Sequence, residues 1–256
     1  MDGLYTIAGL IVGILVGMTG VGGGALMTPL LVLGFGVPAL IAVGTDLLFA
    51  SITKIVGTIS HGWHGSVQWP IVGLLALGSI PVSFITLQYL SDFQTEAELL
   101  EKIIRGILSF VLLLTAFLLL FRQKLLEYIN TSFIENHQSF RRIATVLAGG
   151  GLGFIVTISS IGAGALGIVI LALLYPKLKT NCIIGTDIAH AVPLTAIAGI
   201  GHFQLGNVDT SLLFYLLLGS IPGVIIGSQL CARLPEKVVR YTLASILIGV
   251  GVKLTS

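Results

Sequence analysis

The chain alternates apolar stretches with shorter polar ones over its whole length. In the first half the apolar segments lie near 4–19, 25–35, 39–60, 70–90 and 102–121. In the second half they lie near 143–158, 163–175, 182–200, 211–230 and 237–254. Several of these approach the roughly 20 apolar residues that cross a bilayer as a helix. The pattern predicts an all-α, polytopic membrane protein with about five hydrophobic segments in each half.

The two halves carry the same short motifs in the same order. GVGGGALMTP (20–29) aligns with SIGAGALGIV (160–169), and VGTDLLFA (43–50) aligns with IGTDIAHA (184–191). Further along, GSIP occurs in both halves, and EKIIR in the first half corresponds to EKVVR in the second. Self-similarity of this kind indicates an internal repeat.

We therefore predict two transmembrane repeats, 1–121 and 143–256, joined by a polar cytoplasmic linker at 122–142. Because each repeat has an odd number of segments, the two repeats are expected to cross the membrane in opposite directions. Basic residues lie in the linker and in the loops at 176–181 and 231–237, whereas the loop at 91–101 is acidic. The positive-inside rule then places the N-terminus outside. Inverted repeats of odd segment number are typical of secondary transporters.

Composition agrees with this class. Hydrophobic residues make up 55% of the chain and charged residues 9%, against about 25% charged in soluble domains. The formal net charge of +2 gives no indication of a nucleic-acid partner. Cys182 and Cys231 match neither a disulfide framework nor a metal site, so no metal and no cofactor are predicted. The first segment lacks the features of a cleaved signal peptide and is expected to be retained.

Glycines interrupt the first apolar segments of both halves, between 17 and 24 and within SSIGAG at 159–164. Glycine disfavours helices, and broken membrane helices are tolerated where the freed backbone lines a cavity or is buried in protein. Backbone amides at such a turn, with the positive end of the following helix, bind anions well. The alternative is close helix packing by small residues. We predict these substrate-binding residues: Thr19, Gly22, Gly23, Gly24, Thr28, Lys54, Ser159, Ser160, Gly162 and Gly164.

Four ionisable residues fall inside predicted spans, where such residues are functional candidates by default. Asp46 and Asp187 occupy the matching GTD motifs, either as caps of their helices or in a substrate or proton role. Lys54 either extends toward the interface or attracts an anion or pairs with a carboxylate. His190 follows Asp187 by about one turn and is either a packing residue or a proton carrier. Asp46, Asp187 and His190 are thus predicted to be coupling or structural residues.

The glycine-rich turn TGVGGGALMTPLL, the repeated GTD and GSIP motifs and the two-half layout resemble the TauE/SafE sulfite exporter family, also called TSUP. The resemblance covers essentially the whole chain, although the second half has SIGAG where the first has GVGGG. It implies transport of a small anion, often sulfite or an organosulfur acid, across the cytoplasmic membrane of bacteria.

The predicted function is therefore a secondary transporter, not an enzyme, whose partners are a small anionic substrate, the lipid bilayer and a coupling proton or cation. An anion channel is the main alternative, because it would share the broken helices. An intramembrane aspartyl protease using Asp46 and Asp187 is disfavoured because both motifs are GTD rather than GxGD. The residues leave open the anion, the direction of transport and the oligomeric state.

Overall fold

The computed structural model of the protein describes residues 2–19, 24–63, 66–92, 97–128, 137–231 and 236–255. The first half contains α1 (Asp2–Thr19), α2 (Gly24–Pro29), α3 (Ala39–Trp63), α4 (Trp69–Asp92) and α5 (Ala97–Tyr128). A π-helical turn, Leu30–Gly34, extends α2. The second half contains α6 (Gln138–Ser159), α7 (Ala165–Leu174), α8 (Thr180–Gln204), α9 (Thr210–Cys231) and α10 (Glu236–Thr255). These ten helices confirm the all-α prediction for the described residues.

Five stretches within the described helices are long and apolar enough to cross a membrane: Trp69–Asp92, Glu98–Phe121, Gln138–Ser159, Thr180–Gln204 and Thr210–Gly227. Large apolar side chains on their outer faces are exposed, including Leu147 at 71% and Leu77 at 66%. Exposed apolar surface of this extent suits contact with lipid chains rather than with water. The protein is therefore a multi-pass membrane protein.

The helices of one half pack mainly on helices of the other. The most extensive contacts join α1 to α9, α4 to α6, α3 to α8 and α5 to α10. Helices α1 to α5 correspond to α6 to α10 in the repeat. When each helix is replaced by its counterpart, the α1–α9 pair becomes the α4–α6 pair, and the α3–α8 and α5–α10 pairs are unchanged. The protein core thus lies between the halves, with α3 and α8 crossing at its centre.

Glycines bring the backbones of paired helices into direct contact. A methyl group added at Gly9 in α1 would overlap the carbonyl of Leu216 in α9. A methyl group added at the matching Gly149 in α6 would overlap the carbonyl of Leu75 in α4. Small residues allow such close approach in membrane proteins, where dispersion contacts replace the hydrophobic effect as the driving force. The α1–α9 and α4–α6 interfaces therefore both place a glycine against the backbone of the partner helix, at equivalent positions of the repeat.

The threonines of the two GTD motifs each cap a helix of the opposite half. The Thr45 hydroxyl accepts a hydrogen bond from the amide of Asp209, just before α9, at 3.1 Å. The Thr186 hydroxyl accepts one from the amide of Gln68, just before α4, at 3.0 Å. A hydroxyl oxygen at this place satisfies an amide that the helix leaves unpaired. The Thr186 bond fixes the start of α4 to α8, and the Thr45 bond fixes the start of α9 to α3.

Two clusters of loops lie at opposite ends of α3 and α8. Residues of the 36–38, 91–101 and 201–210 loops line one cavity of 630 Å³ beside the start of α3. There both oxygens of the Glu101 carboxylate accept a hydrogen bond from the Ala39 amide, at N–O distances of 2.8 and 2.9 Å. Near the start of α8, the Arg141 guanidinium lies 5.0 Å from the centre of the Tyr175 ring.

Candidate functional site

The second-half glycine segment forms a sharp turn between two helices. Helix α6 ends at Ser159 and α7 begins at Ala165. Between them Ser160, Gly162 and Gly164 adopt positive φ values of 56°, 123° and 130°. Glycine reaches such values without the steric cost that other residues incur, which explains why Gly162 and Gly164 are needed here. The predicted break in the second half is therefore present, and we call residues 160–164 the α6–α7 turn.

Ser159 stabilises this turn from within. Its hydroxyl donates to the carbonyl of Ile155 at 2.7 Å and accepts from the amide of Ile161 at 3.2 Å. Ser160, by contrast, is 3% exposed, and its hydroxyl has no hydrogen-bond partner among the residues that the structure describes. Of the two predicted serines, Ser160 thus retains an unused donor.

Lys54 reaches this turn from the other half of the chain. Its side chain is 5% exposed, and its ammonium donates a hydrogen bond to the Ala163 carbonyl at 2.9 Å. The lysine therefore points into the protein and does not extend to the membrane interface. A buried ammonium requires compensating partners, and one carbonyl satisfies only one of its three donors.

Asp46 lies on α3, eight residues before Lys54. Its Oδ2 accepts a hydrogen bond from the Thr28 hydroxyl of α2 at 2.6 Å. The Ser160 hydroxyl lies beside the same carboxylate but forms no hydrogen bond of good geometry. Asp46 is fully buried, and its Oδ1 is unpartnered within the described part of the chain. Thr28 thus holds this carboxylate in place.

Asp187 lies on α8 against the beginning of α7. A methyl group added at Gly167 would overlap its Oδ1, so the carboxylate rests directly on the α7 backbone. It is fully buried beside the Gly164 backbone. Neither of its oxygens has a hydrogen-bond partner of good geometry among the described residues. Unlike Asp46, it has no hydroxyl that holds it.

Asp46, Lys54 and Asp187 form what we call the charge cluster. Both carboxylates lie within electrostatic range of the ammonium, although neither approaches it within the 4.0 Å of a direct ion pair. Charges interact several times more strongly in a protein interior than in water. The cluster therefore couples α3, α8 and the α6–α7 turn electrostatically.

Neither aspartate caps its own helix, although capping was one of the two expected roles. Asp46 is bonded to Thr28, and Asp187 has no partner of good geometry. The neighbouring threonines serve as caps instead, and they cap helices of the opposite half. Each GTD motif has a threonine hydroxyl next to an aspartate carboxylate. Only the tertiary contacts show that the threonine, and not the aspartate, caps a helix.

His190 lies deeper in the core, one turn after Asp187. Its Nε2 is 2.9 Å from the hydroxyl of Ser79, in the GSIP motif of α4. Its Nδ1 is buried without a hydrogen-bond partner in the described ranges. Sequence analysis singled out His190 but not Ser79, although the repeated GSIP motif was a signal that could have identified it.

His202 is a second buried histidine that was not among the predicted site residues. Its Nε2 donates to the Thr157 carbonyl of α6 at 2.9 Å, and the side chain is fully buried. This bond ties α8 to α6 close to the turn. His202 lies in the last turn of α8, and nothing in the local sequence pattern shows that its side chain turns into the core there.

The structure brings together six of the predicted residues around the α6–α7 turn: Thr28, Asp46, Lys54, Ser160, Gly164 and Asp187. Ser159 and Gly162 shape the turn, and His190 lies next to it. Gly24 is the first residue of α2. The predicted Gly22 and Gly23, and the side chain of Thr19, lie outside the described residues.

The charge cluster is buried among the described residues. Both aspartates are fully buried, and Lys54 is 5% exposed. Cavities of 540, 630 and 250 Å³ are lined by other residues.

Comparison with known proteins gives a consistent result over the whole length. The family described as "Sulfite exporter TauE/SafE" matches residues 5–254. The chain is 42% identical over 251 residues to the probable membrane transporter protein YjnA of Bacillus subtilis, covering 96% of each chain. It is 29% identical to the probable membrane transporter protein YdhB of the same organism, covering 90% of each. No solved structure matches the chain.

Proposed function

The chain belongs to the TauE/SafE sulfite exporter family, and on that premise we propose that it is a secondary transporter for a small anion. The proposed substrate is sulfite or an organosulfur or organic acid, moved by alternating access and coupled to an ion gradient. The proposed location is the cytoplasmic membrane of a bacterium. The matched relatives are membrane transporters rather than enzymes.

The observation that carries this proposal is the buried lysine at a broken helix. Lys54 has donors to spare beyond its bond to the Ala163 carbonyl, and in the same turn the Ser160 hydroxyl, beside the Asp46 carboxylate, has no hydrogen bond of good geometry among the described residues. Helix α7 begins two residues after Ala163, and the N-terminus of a helix favours negative charge. An ammonium, a hydroxyl and a helix N-terminus together provide what a small oxyanion needs.

The first-half glycines belong to the same proposal. Gly22, Gly23 and Gly24, with Thr19, correspond in the repeat alignment to the segment that forms the α6–α7 turn. We expect their amides to face the anion from the opposite side. Thr28 connects this region to the site, since it lies in α2, four residues after Gly24, and bonds to Asp46.

The inverted arrangement of the halves is also part of the proposal, and the loop positions support it. Residues of the three segments expected outside, among them Glu98 and Glu101 in the first turns of α5, line a common cavity near the start of α3. Arg141, near the start of α6, lies over the ring of Tyr175, next to the basic loop expected inside. The charge cluster lies between these two ends, as expected for a transporter that binds its substrate near the middle of the bilayer.

The contact between the halves at the charge cluster supports alternating access as part of the proposal. Because Lys54 of the first half is bonded to the turn of the second, relative motion of the halves would change the surroundings of a bound anion. In the proposed cycle, rocking of the halves opens the site to one side at a time.

Transport by purified protein in proteoliposomes tests the proposal. Labelled sulfite, sulfate, methanesulfonate and acetate are supplied outside vesicles that carry an imposed proton or sodium gradient. We expect at least one anion to accumulate above its equilibrium level when a gradient is present. A channel would let the anion equilibrate but not accumulate. Failure of all four anions to enter would contradict the proposed function.

A further inference from the structure

The charge cluster holds more negative than positive charge when all three groups are ionised. Asp46 and Asp187 contribute two negative charges and Lys54 one positive charge, and all three side chains are at least nine-tenths buried. An anion that bound beside Lys54 would raise the excess negative charge further. Such an excess is strongly unfavourable where solvent is excluded. Anion binding therefore requires that the cluster lose a negative charge at the same time.

The two carboxylates are held differently. Asp46 accepts the Thr28 hydroxyl at 2.6 Å, and a hydrogen bond of this kind favours the ionised form. Asp187 has no hydroxyl donor: the backbone of Gly164 lies beside it, and neither of its buried oxygens has a partner of good geometry among the described residues. Asp187 also rests on the backbone of α7 at Gly167 and beside Gly164. It occupies the helix N-terminus that an anion would use.

We propose that Asp187 carries a coupling proton. An anion that binds at Lys54 and the start of α7 displaces the Asp187 carboxylate, which takes up one proton from the open side of the protein. Release of the anion on the other side returns Asp187 to its place and frees the proton there. Anion and proton thus move together in the same direction. This inference rests on the proposed function and assigns its coupling ion.

The groups near the Lys54 ammonium are Asp46 on α3, Asp187 and His190 on α8, and the Ala163 carbonyl of the α6–α7 turn. Ser160 of that turn lies beside Asp46. From α4, Ser79 bonds to the Nε2 of His190. His190 is the one other titratable group near the ammonium among the described residues, so the test must distinguish it from Asp187.

Calorimetric binding in two buffers of different ionisation enthalpy measures proton uptake directly. The probes are methanesulfonate, whose charge is constant near neutral pH, and sulfite, whose own ionisation is measured separately and subtracted. For wild-type protein at about pH 8 we expect about one proton taken up per anion bound, with Kd rising about tenfold per pH unit while Asp187 is ionised. For Asp187→Asn we expect no proton uptake and a Kd that is independent of pH.

Asp209→Asn is the matched control. Asp209 caps α9 through the Leu212 amide at 2.9 Å, a cap that asparagine also forms, so proton uptake should persist. Equal melting temperatures show that both variants are folded. Anion binding without proton uptake in the wild type would overturn this inference and leave the proposed function standing. Loss of proton uptake in Asp46→Asn or His190→Gln, with retention in Asp187→Asn, would also overturn it. If neither probe binds the wild type, the proposed function itself is contradicted.

Discussion

At the scale of single residues, Lys54 distinguishes the two halves. Its counterpart in the repeat alignment is Thr195, whose hydroxyl donates to the Ala191 carbonyl of its own helix at 2.8 Å. The first half therefore supplies the cation and the second half supplies the turn that receives it. Under the proposed function, this asymmetry predicts one anion site rather than two equivalent sites.

Lys54→Met is expected to weaken anion binding at least tenfold, about 1.4 kcal/mol, because it removes the positive charge and keeps much of the side-chain volume. Lys54→Arg keeps the charge and should retain part of the affinity. Binding of sulfite and methanesulfonate by calorimetry checks this. Lys253→Met, at an exposed position on α10, is the control. Equal affinity in Lys54→Met and wild type would restrict Lys54 to a structural role.

Gly167→Ala tests the contact between α7 and Asp187. The new methyl group would overlap the carboxylate, and enforced overpacking of a core costs about 1–3 kcal/mol. We expect a lower melting temperature in detergent. Gly151→Ala in α6 meets open space and should be neutral or stabilising by up to about 1 kcal/mol. Equal effects of the two substitutions would mean that Asp187 does not rest on α7.

At the scale of helices, the apolar pattern predicted each helix and the break in the second half, but α5 continues to Tyr128 and α6 begins at Gln138, both inside the predicted 122–142 linker. The period and length of the apolar segments are local properties, and they fix those features. The partners of the GTD motifs were not predictable in this way. Thr45 and Thr186 bond to residues 164 and 118 positions away. Ser79 likewise meets His190 across 111 positions. Contacts at such separations depend on how the halves pack.

Thr45→Val and Thr186→Val are each expected to destabilise the protein by about 0.5–2 kcal/mol, the usual cost of a lost helix cap. The costs should be similar because the two bonds are equivalent in the repeats. Thermal unfolding in detergent measures them, and Thr45→Ser and Thr186→Ser should recover most of the loss. Thr195→Val is the matched control: its hydroxyl bonds within its own helix, so a smaller effect is expected. A larger loss in Thr195→Val than in either cap variant would contradict this assignment.

At the scale of the whole molecule, the account requires the two halves to have opposite orientations in the membrane. The odd number of segments in each half and the distribution of basic residues predict this from sequence. The pairing of α1 with α9 and of α4 with α6, which exchange when the halves are exchanged, is consistent with it.

Cysteine accessibility in intact cells tests the orientation. Single cysteines are placed at Ser91 and Ser132 in a protein whose Cys182 and Cys231 are replaced by alanine. A membrane-impermeant thiol reagent should label position 91 from outside and position 132 only after the cells are opened. Labelling of both positions from the same side would contradict the inverted arrangement.

The proposed anion site lies beside Lys54 at the α6–α7 turn. Selenite resembles sulfite in shape and charge, and selenium gives an anomalous scattering signal that locates it in a crystal. The account predicts one selenium peak next to the Lys54 ammonium and the Ser160 hydroxyl, and no peak there in Lys54→Met crystals grown in the same way. A peak confined to another place, such as the cavity lined by Arg105 and Asn207, or a peak that persists unchanged in Lys54→Met, would contradict it.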